Sequence, residues 1–350
     1  MTRSFLKDKY RRSEWILMRG KVLIAAQEPE FATRVSLTRM TLSKQYDVQI
    51  LRPTLTAKFS PRVISAGLRY GTYAIQELFS SSDILHLVNS PDFIHLPALI
   101  KGGKVVYDYR SNYSDKLRMS YPSIAGLGAR VEEMLAKRAN LVLTVNNILE
   151  LRFSKRIGKK VQVVPNYPSK AFRAKRTAEA VRASFNFSGE GLVLFVGNLT
   201  DTYDFDLIIS SARMLPGMEF WIAGSGKMEM RLRSQSPKNV KFLGKVPHDD
   251  VPDLIGAADV CVAPVRAYQK DIVHNDQDVW KVSEYAALGK PIIATNLAPS
   301  SQYELVNGDA DGFSEAIKRA IAGMVTPATP RFWEDVSEPA LLSAYGQLAT

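Results

Sequence analysis

Cysteine is almost missing from the 350 residues: Cys261 stands alone. A single thiol forms no internal disulfide. Its neighbours, Asp259-Val-Cys-Val-Ala, read as a buried strand, so neither a disulfide framework nor thiol chemistry is expected. Long hydrophobic runs are missing too, with no stretch of about 18 apolar residues of the kind that crosses a bilayer. Met1–Gly20 is basic and interrupted by charges, without the apolar core and small-residue cleavage site of a secretory signal. Together these gaps lead to the expectation of a cytoplasmic protein. Basic motifs interleaved with aromatics, zinc-ligand spacing and a helix-turn-helix pattern are also lacking, so no nucleic-acid partner is expected. No short repeat or low-complexity tract occurs.

What is present is ample core material. Hydrophobic residues make up 46% and charged residues 23%, and the length suits two domains better than one. The net charge of +11 is lopsided: residues 1–180 carry 31 Lys/Arg against 14 Asp/Glu, a net +17, whereas residues 181–350 carry a net −6. A solvated basic surface is one reading of the first half; attraction to anionic lipid or nucleic acid is the other. Met1–Arg19 holds six basic and two acidic residues among Phe5, Leu6, Trp15, Ile16 and Leu17. That mixture suits an interfacial anchor, or simply a basic tail.

Short apolar runs alternate with helical patterns along the chain, the mark of parallel α/β sheets. Strands are predicted at Lys21-Val-Leu-Ile-Ala-Ala, Tyr46–Leu51, Asp83–Val88, Lys104–Tyr109, Leu141–Val145 and Val161–Asn166. Helices are predicted between them, one over 125–139 with Glu132 and Lys137 facing solvent. From 168 to 190 the pattern lapses into basic, weakly apolar sequence, a candidate hinge. Alternation resumes with strands at Leu192–Gly197, Glu219–Gly224, Val240–Gly244, Val260–Pro264 and Pro291–Thr295. The expected fold is therefore α/β, two doubly wound Rossmann-like domains, 1–168 and 190–325. Residues 326–350 are expected to pack back onto the first.

Open parallel sheets bind ligands beyond the carboxyl ends of their strands. Gly197-Asn198-Leu-Thr and Gly224-Ser225-Gly226 follow two predicted strands, and glycine there either admits a ligand to the backbone or merely turns the chain. In Asp278-Val-Trp-Lys281-Val-Ser-Glu284-Tyr-Ala-Ala-Leu-Gly289-Lys-Pro291 a helix begins near Asp278 and stops at Gly289. Lys281 and Glu284, three apart, share a face of its first turns. They form an ordinary solvated pair, or else a cation beside a helix N-terminus that draws an anion, with a carboxylate for vicinal hydroxyls.

From Leu192 to about Gly323 the chain resembles the donor-binding domain of GT-B glycosyltransferases, in the family-four-like group known as glycosyl transferases group 1. The resemblance rests on Phe195-Val-Gly-Asn-Leu, Trp221-Ile-Ala-Gly-Ser-Gly, Val240-Lys-Phe-Leu-Gly-Lys-Val, Ala257-Ala-Asp-Val-Cys-Val-Ala-Pro and, above all, Trp280-Lys-Val-Ser-Glu-Tyr-Ala-Ala-Leu-Gly-Lys-Pro-Ile-Ile-Ala-Thr. It implies a cleft between two domains, with Glu284 on the nucleotide ribose, Lys281 on the diphosphate, and Lys245 and Val246 meeting the base. Two departures stand out. Asn198 and Tyr203-Asp204 occupy places where the family often has an Arg and a Lys on the diphosphate. Asp276 replaces the first Glu of Glu-x7-Glu, which faces the sugar. The phosphate burden then shifts to Lys281, with Arg266 beyond the Ala-Pro strand end as its expected helper.

In the first half, Val105-Val-Tyr-Asp108-Tyr-Arg110 is similar to a strand end lining the cleft of related enzymes. Asp108 is positioned to act on an acceptor hydroxyl as a base or orienting group, or else to cap its turn and pair with Arg110. His86 and His95 are weaker candidates near another strand end. Asp204-Phe-Asp206 and Asp276-Gln-Asp278 spell a metal motif of a different transferase fold, but both sit at helix starts, where aspartate caps. The expected function is transfer of a sugar from a UDP- or GDP-sugar to a saccharide or lipid-linked acceptor near an anionic membrane surface, with no metal and no cofactor. Epimerase or phosphorylase chemistry on the same fold, or non-catalytic binding of membrane or nucleic acid, are the alternatives.

Overall fold

The computed structural model describes residues 20–26, 33–51, 62–89, 91–266 and 274–348. The segment Met1–Arg19, read above as a membrane contact, lies outside them. The described residues divide into two compact units, within Met1–Leu143 plus Ala344–Thr350 and within Thr144–Ser343.

The first sheet takes β1 (Lys21–Ala25), β2 (Asp47–Leu51), β3 (Ile84–Val88), β4 (Lys104–Tyr109), β5 (Leu141–Thr144) and β6 (Gln162–Val163), interleaved with α1 (Thr33–Leu42), α2 (Arg62–Phe79), α3 (Tyr113–Ser120), α4 (Pro122–Arg138) and α5 (Asn147–Ile157). Its order is β2-β1-β3-β4-β5-β6, and β1 pairs in parallel with both β2 and β3. The direction of winding thus reverses at β1 and β3, whose carboxyl ends open the crevice of a doubly wound sheet. β3 is buried along its whole length, as a strand covered on both faces must be.

α6 (Ala178–Ser184) leads into β7 (Gly191–Val196), α7 (Phe205–Met214), β8 (Met218–Ala223), α8 (Glu229–Gln235), β9 (Val240–Gly244), α9 (Val251–Ala257), β10 (Val260–Pro264), α10 (Trp280–Ala287), β11 (Ile292–Thr295), β12 (Glu304–Leu305) and α11 (Ala310–Ile321). The second sheet runs β12-β11-β10-β7-β8-β9 with parallel pairings throughout, and it reverses at β7 and β10. Successive residues of β7 point to opposite faces. Leu192 and Leu194 enter one core with α9 and α10, while Val193 and Phe195 enter another with α7 and α11. Two six-stranded parallel sheets with interleaved helices match the expected α/β class.

Several details differ from the sequence reading. Glu132, expected to face solvent, is fully buried: its Oε1 accepts from the backbone N–H groups of Tyr113 (2.8 Å) and Ser114 (3.1 Å), capping α3, a helix the apolar pattern did not disclose. The basic stretch before residue 190 contains α6. It is pinned to α9, where Asp253 Oδ1 accepts from the N–H groups of Lys175 (2.6 Å) and Arg176 (3.1 Å). Arg182 reaches the Ala257 carbonyl (2.7 Å) and the Asp259 carboxylate (2.8 Å) nearby. After α11 the chain turns through Trp333–Ser337, held to the carbonyls of Pro168 (Trp333 N–H, 2.8 Å) and Pro165 (Ser337 Oγ, 2.7 Å), and ends in α12 (Glu338–Gly346).

Trp221 ties α6 to the second sheet: it is fully buried, with the rings of Phe185 (5.0 Å) and Phe187 (6.4 Å) edge-on to it. Trp221→Ala should cost about 3–5 kcal/mol of unfolding free energy, read from denaturant midpoints. A change below about 1 kcal/mol, the size of an ordinary surface substitution, would contradict this packing.

Candidate functional site

The strand ends of the second sheet build a shared ledge. Gly197 follows β7 at φ +148° and Gly224 follows β8 at φ +141°, conformations open to glycine. A Cβ on Gly224 would come within 1.9 Å of the Gly197 carbonyl oxygen, and one on Gly226 within 2.4 Å of that of Leu199. The two loops therefore lie backbone against backbone, joined by Leu199 N–H to the Ser225 carbonyl (2.9 Å). Gly224 N–H reaches the Gly244 carbonyl (2.7 Å), bringing in the end of β9. Asn198 is exposed and Ser225 half-buried on this ledge. Beyond β9, Lys245 is exposed and Val246 packs half-buried against the core.

α10 is laid against the ledge by Tyr285, whose hydroxyl accepts the Val196 N–H (2.8 Å). This places Lys281 under Gly197: a Cβ there would meet Lys281 Nζ at 2.6 Å. The ammonium sits 3.7 Å from the Phe195 ring centroid and 3.4 Å from that of Tyr203. Among the described residues it has no hydrogen-bond partner although it is buried. Burial drives its pKa well below the ordinary lysine value, with Glu284 acting in the opposite direction. An aromatic cradle offsets part of the desolvation of a cation, but it is a poor substitute for an anion.

Glu284, one turn on, is buried, and its Oε1 bonds His248 Nε2 at 2.9 Å. His248 lies just past Val246 and packs on the Phe172 ring at 5.4 Å. The sequence reading did not single it out; its only signal was its position beside Val246. The contact with Glu284 raises the His248 pKa above 6.5, against partial burial.

The remaining candidates are engaged elsewhere. Arg266 bonds Asp204 (3.4 Å) and Asp206 (3.2 Å), so its charge is already shared with the first Asp-x-Asp pair. Asp204 also caps α7 through the Leu207 N–H (3.3 Å). Asp276 is buried, accepting from Ser300 Oγ (2.6 Å), Tyr167 (3.4 Å) and Arg331 (3.4 Å). Asp278 accepts the Asn275 N–H (2.9 Å) and pairs with His274 (2.5 Å). In each pair both carboxylates thus have protein partners.

In the first unit, Asp108 is buried at the end of β4 and held in a fork by Arg34 of α1, Nε to Oδ2 at 2.9 Å and Nη2 to Oδ1 at 3.0 Å. His86 Nε2 lies 3.7 Å away, and its other ring nitrogen bonds Tyr345 of α12 (2.7 Å). Arg34, foremost, and His86 hold the Asp108 carboxyl far below the usual range despite burial. A carboxylate so stabilised is a weak proton acceptor and a firm anchor. His95 is buried between Glu77 (2.8 Å) and the Val88 carbonyl (3.0 Å).

A glycine-lined ledge at a sheet's switch point, a buried lysine without a hydrogen-bond partner among the described residues and a carboxylate one turn away thus lie together in the second unit. Residues 190–323 match the family glycosyl transferases group 1. This group 1 region contains every residue of the ledge and of α10. A Bacillus subtilis (strain 168) protein, TuaH, named as a glycosyltransferase of teichuronic acid biosynthesis, is 26% identical over 244 residues, 63% of this chain. The match spans 58% of that relative's length. Sucrose-phosphate synthase from Thermosynechococcus elongatus aligns over 94% of this chain and 99% of its own, with a TM-score of 0.69 and 14% identity. Anabaena HepE, solved with UDP-glucose, aligns over 94% and 98%, with a TM-score of 0.65 and 14% identity. At such identity the likeness concerns the fold, which is GT-B.

The pairing of His248 with Glu284 is open to titration. A histidine whose folded pKa is raised lends stability that is complete below its unfolded value of 6.5 and is lost as pH rises through the folded value. NMR titration should therefore place the His248 midpoint above 6.5 in the wild-type protein and return it toward 6.5 in Glu284→Gln. Identical midpoints in the two proteins would remove the pair.

Proposed function

We propose that this protein is a glycosyltransferase that moves a sugar from a UDP- or GDP-sugar to a saccharide or lipid-linked acceptor. The observation that carries the reading is the buried ammonium of Lys281, which lacks an anion beneath a ledge of three strand ends. A donor diphosphate would lie over the Gly197 and Gly224–Gly226 loops and supply that anion. Glu284 would take the ribose hydroxyls, and Lys245 and Val246 would border the base. The UDP and UDP-glucose in the HepE structures support this class of ligand, and the TuaH name supports polysaccharide synthesis.

In this mechanism the leaving diphosphate gathers negative charge as the glycosidic bond to the donor breaks. A fixed cation in a poorly solvated site stabilises that charge strongly, without reorganisation. Lys281 gains its full counter-charge only as the anion arrives, and no divalent metal is required by this account. Asp108 serves the acceptor side as an orienting group through Arg34 rather than as a base, because its proton affinity is too low.

Lys281→Ala and Glu284→Ala should each weaken nucleotide binding by about 1.5–3 kcal/mol, the worth of a charge-assisted bond, roughly ten- to a hundred-fold. Isothermal titration with UDP and GDP measures this, and unchanged affinity in both variants would displace the site. Turnover, followed as release of nucleoside diphosphate, should survive a chelator; abolition would restore the Asp-x-Asp motifs to consideration.

The same reading extends to location. Among the described residues no helix is long and apolar enough to cross a membrane. The surplus of +17 in residues 1–180 favours docking against an anionic bilayer, at about 1 kcal/mol for each facing Lys or Arg. Co-sedimentation should be strong with anionic vesicles, weak with neutral ones, and lost as salt rises. Equal binding to both lipids would sink the idea.

A further inference from the structure

Among the described residues, Arg110 is a cation without a counter-ion in the first unit. It follows β4 directly, and its backbone N–H donates to Asn89 Oδ1 (2.9 Å) at the end of β3. Asn89 secures the turn from both sides, its Nδ2 donating to the Ser111 carbonyl (2.6 Å) and its N–H to that of Asp108 (3.1 Å). The loop that carries Arg110 is thus fixed to two adjacent strand ends. The residue is half-buried, and its Nε is fully enclosed with no hydrogen-bond partner.

Asp108, two residues back in β4, makes no hydrogen bond to it among the described residues. Both Asp108 oxygens are committed to Arg34, the bonds being 2.9 and 3.0 Å. Arg110 lies outside this fork. Burial pushes its guanidinium down to about 10, with Asp108 opposing and Arg34 adding to the effect, so it stays charged at neutral pH. Enclosing a charge without a partner is costly, and a fold tolerates it where a ligand supplies the partner.

We propose that Arg110 recognises an oxyanion, a carboxylate or phosphate, borne by the acceptor that binds at the strand ends of the first unit. The proposal rests on the glycosyltransferase reading for the word acceptor, but not for the anion itself. Three features converge. β3 and β4 present their carboxyl ends here, beside the reversal at β1 and β3 where doubly wound sheets take ligands. The guanidinium fork matches a planar or tetrahedral oxyanion with paired donors. Finally, both Asp108 oxygens accept from Arg34, which leaves the Arg110 guanidinium as the donor group facing an incoming anion.

The test uses the full chain with UDP at saturation, which occupies the Lys281 site, and titrates glucuronate, glucose 1-phosphate and glucose by calorimetry. At least one of the two anionic sugars should bind ten-fold or more tightly than glucose. A preference for glucuronate identifies the carboxylate, and one for glucose 1-phosphate the phosphate. Arg110→Met should abolish the preference and raise the thermal midpoint, because it removes an uncompensated charge; a residue present for structure alone would lower that midpoint. Arg110→Lys, which keeps the charge without the fork, should retain part of the preference. Equal binding of all three sugars by the wild-type protein, or a preference that survives in Arg110→Met, would overturn the proposal. Failure of UDP to bind would instead count against the donor reading, and the same titrations run without UDP would still decide the role of Arg110.

Discussion

A lysine ammonium taken out of water with no acceptor in reach is an expensive feature, and much of the second unit's local architecture surrounds that of Lys281. The rings of Phe195 and Tyr203 hold it from two sides. Gly197 leaves the space that any side chain would take from it. Tyr285 anchors α10 to β7, so the lysine cannot swing out to solvent by moving its helix alone. Face contacts with two rings recover about 1–2 kcal/mol each at best, against a desolvation cost of several. The depressed proton affinity expresses that imbalance. The donor diphosphate proposed for this site would reverse its sign.

The glycines of the ledge follow from the same constraint. Ligand oxygens approach backbone donors closely only if no Cβ intervenes, and the loops after β7 and β8 approach each other so closely that none fits. The departure of this chain from the commoner Arg and Lys at Asn198 and Tyr203-Asp204 then acquires a physical sense. Tyr203 supplies a ring to Lys281 instead of a second cation. Arg266, the nearest substitute expected from sequence, spends its charge on Asp204 and Asp206.

Much of this was legible in the residues alone. Runs such as Leu192-Val-Leu-Phe-Val and Val260-Cys-Val-Ala-Pro can only be strands buried on both faces, and the structure has them there. Lys281 and Glu284 fell on one helix face because spacing dictates it. What escaped was decided by partners distant in sequence. Glu132 looks like any helix-surface glutamate until Tyr113 and Ser114 present their N–H groups 18 and 19 residues away. Asp108 looked like a partner for Arg110, two residues on; its actual partner, Arg34, is 74 residues back. His248 gained its meaning from a carboxylate 36 residues later. α6 was hidden because a short basic helix docked by backbone caps carries little hydrophobic periodicity.

The displaced pairing at Asp108 has a consequence for the chemistry of the first unit. Had Asp108 taken Arg110, both charges would have cancelled within one turn and the strand end would have been neutral. By taking Arg34 in a two-pronged bond, Asp108 ties α1 to β4 and has its proton affinity lowered. The same choice leaves Arg110 unpaired at the carboxyl edge of the sheet. The second unit shows a related division of labour: Asp204 and Asp206 absorb Arg266, while Lys281 remains free. In both units one cation is neutralised within the protein and another is left without a counter-ion among the described residues. Stability alone would not select that arrangement, since an apolar side chain at either free position avoids the cost of a lone buried charge. The ligand binding proposed for both positions would account for it, because only an unpaired cation gains its full interaction energy at the moment the anion binds.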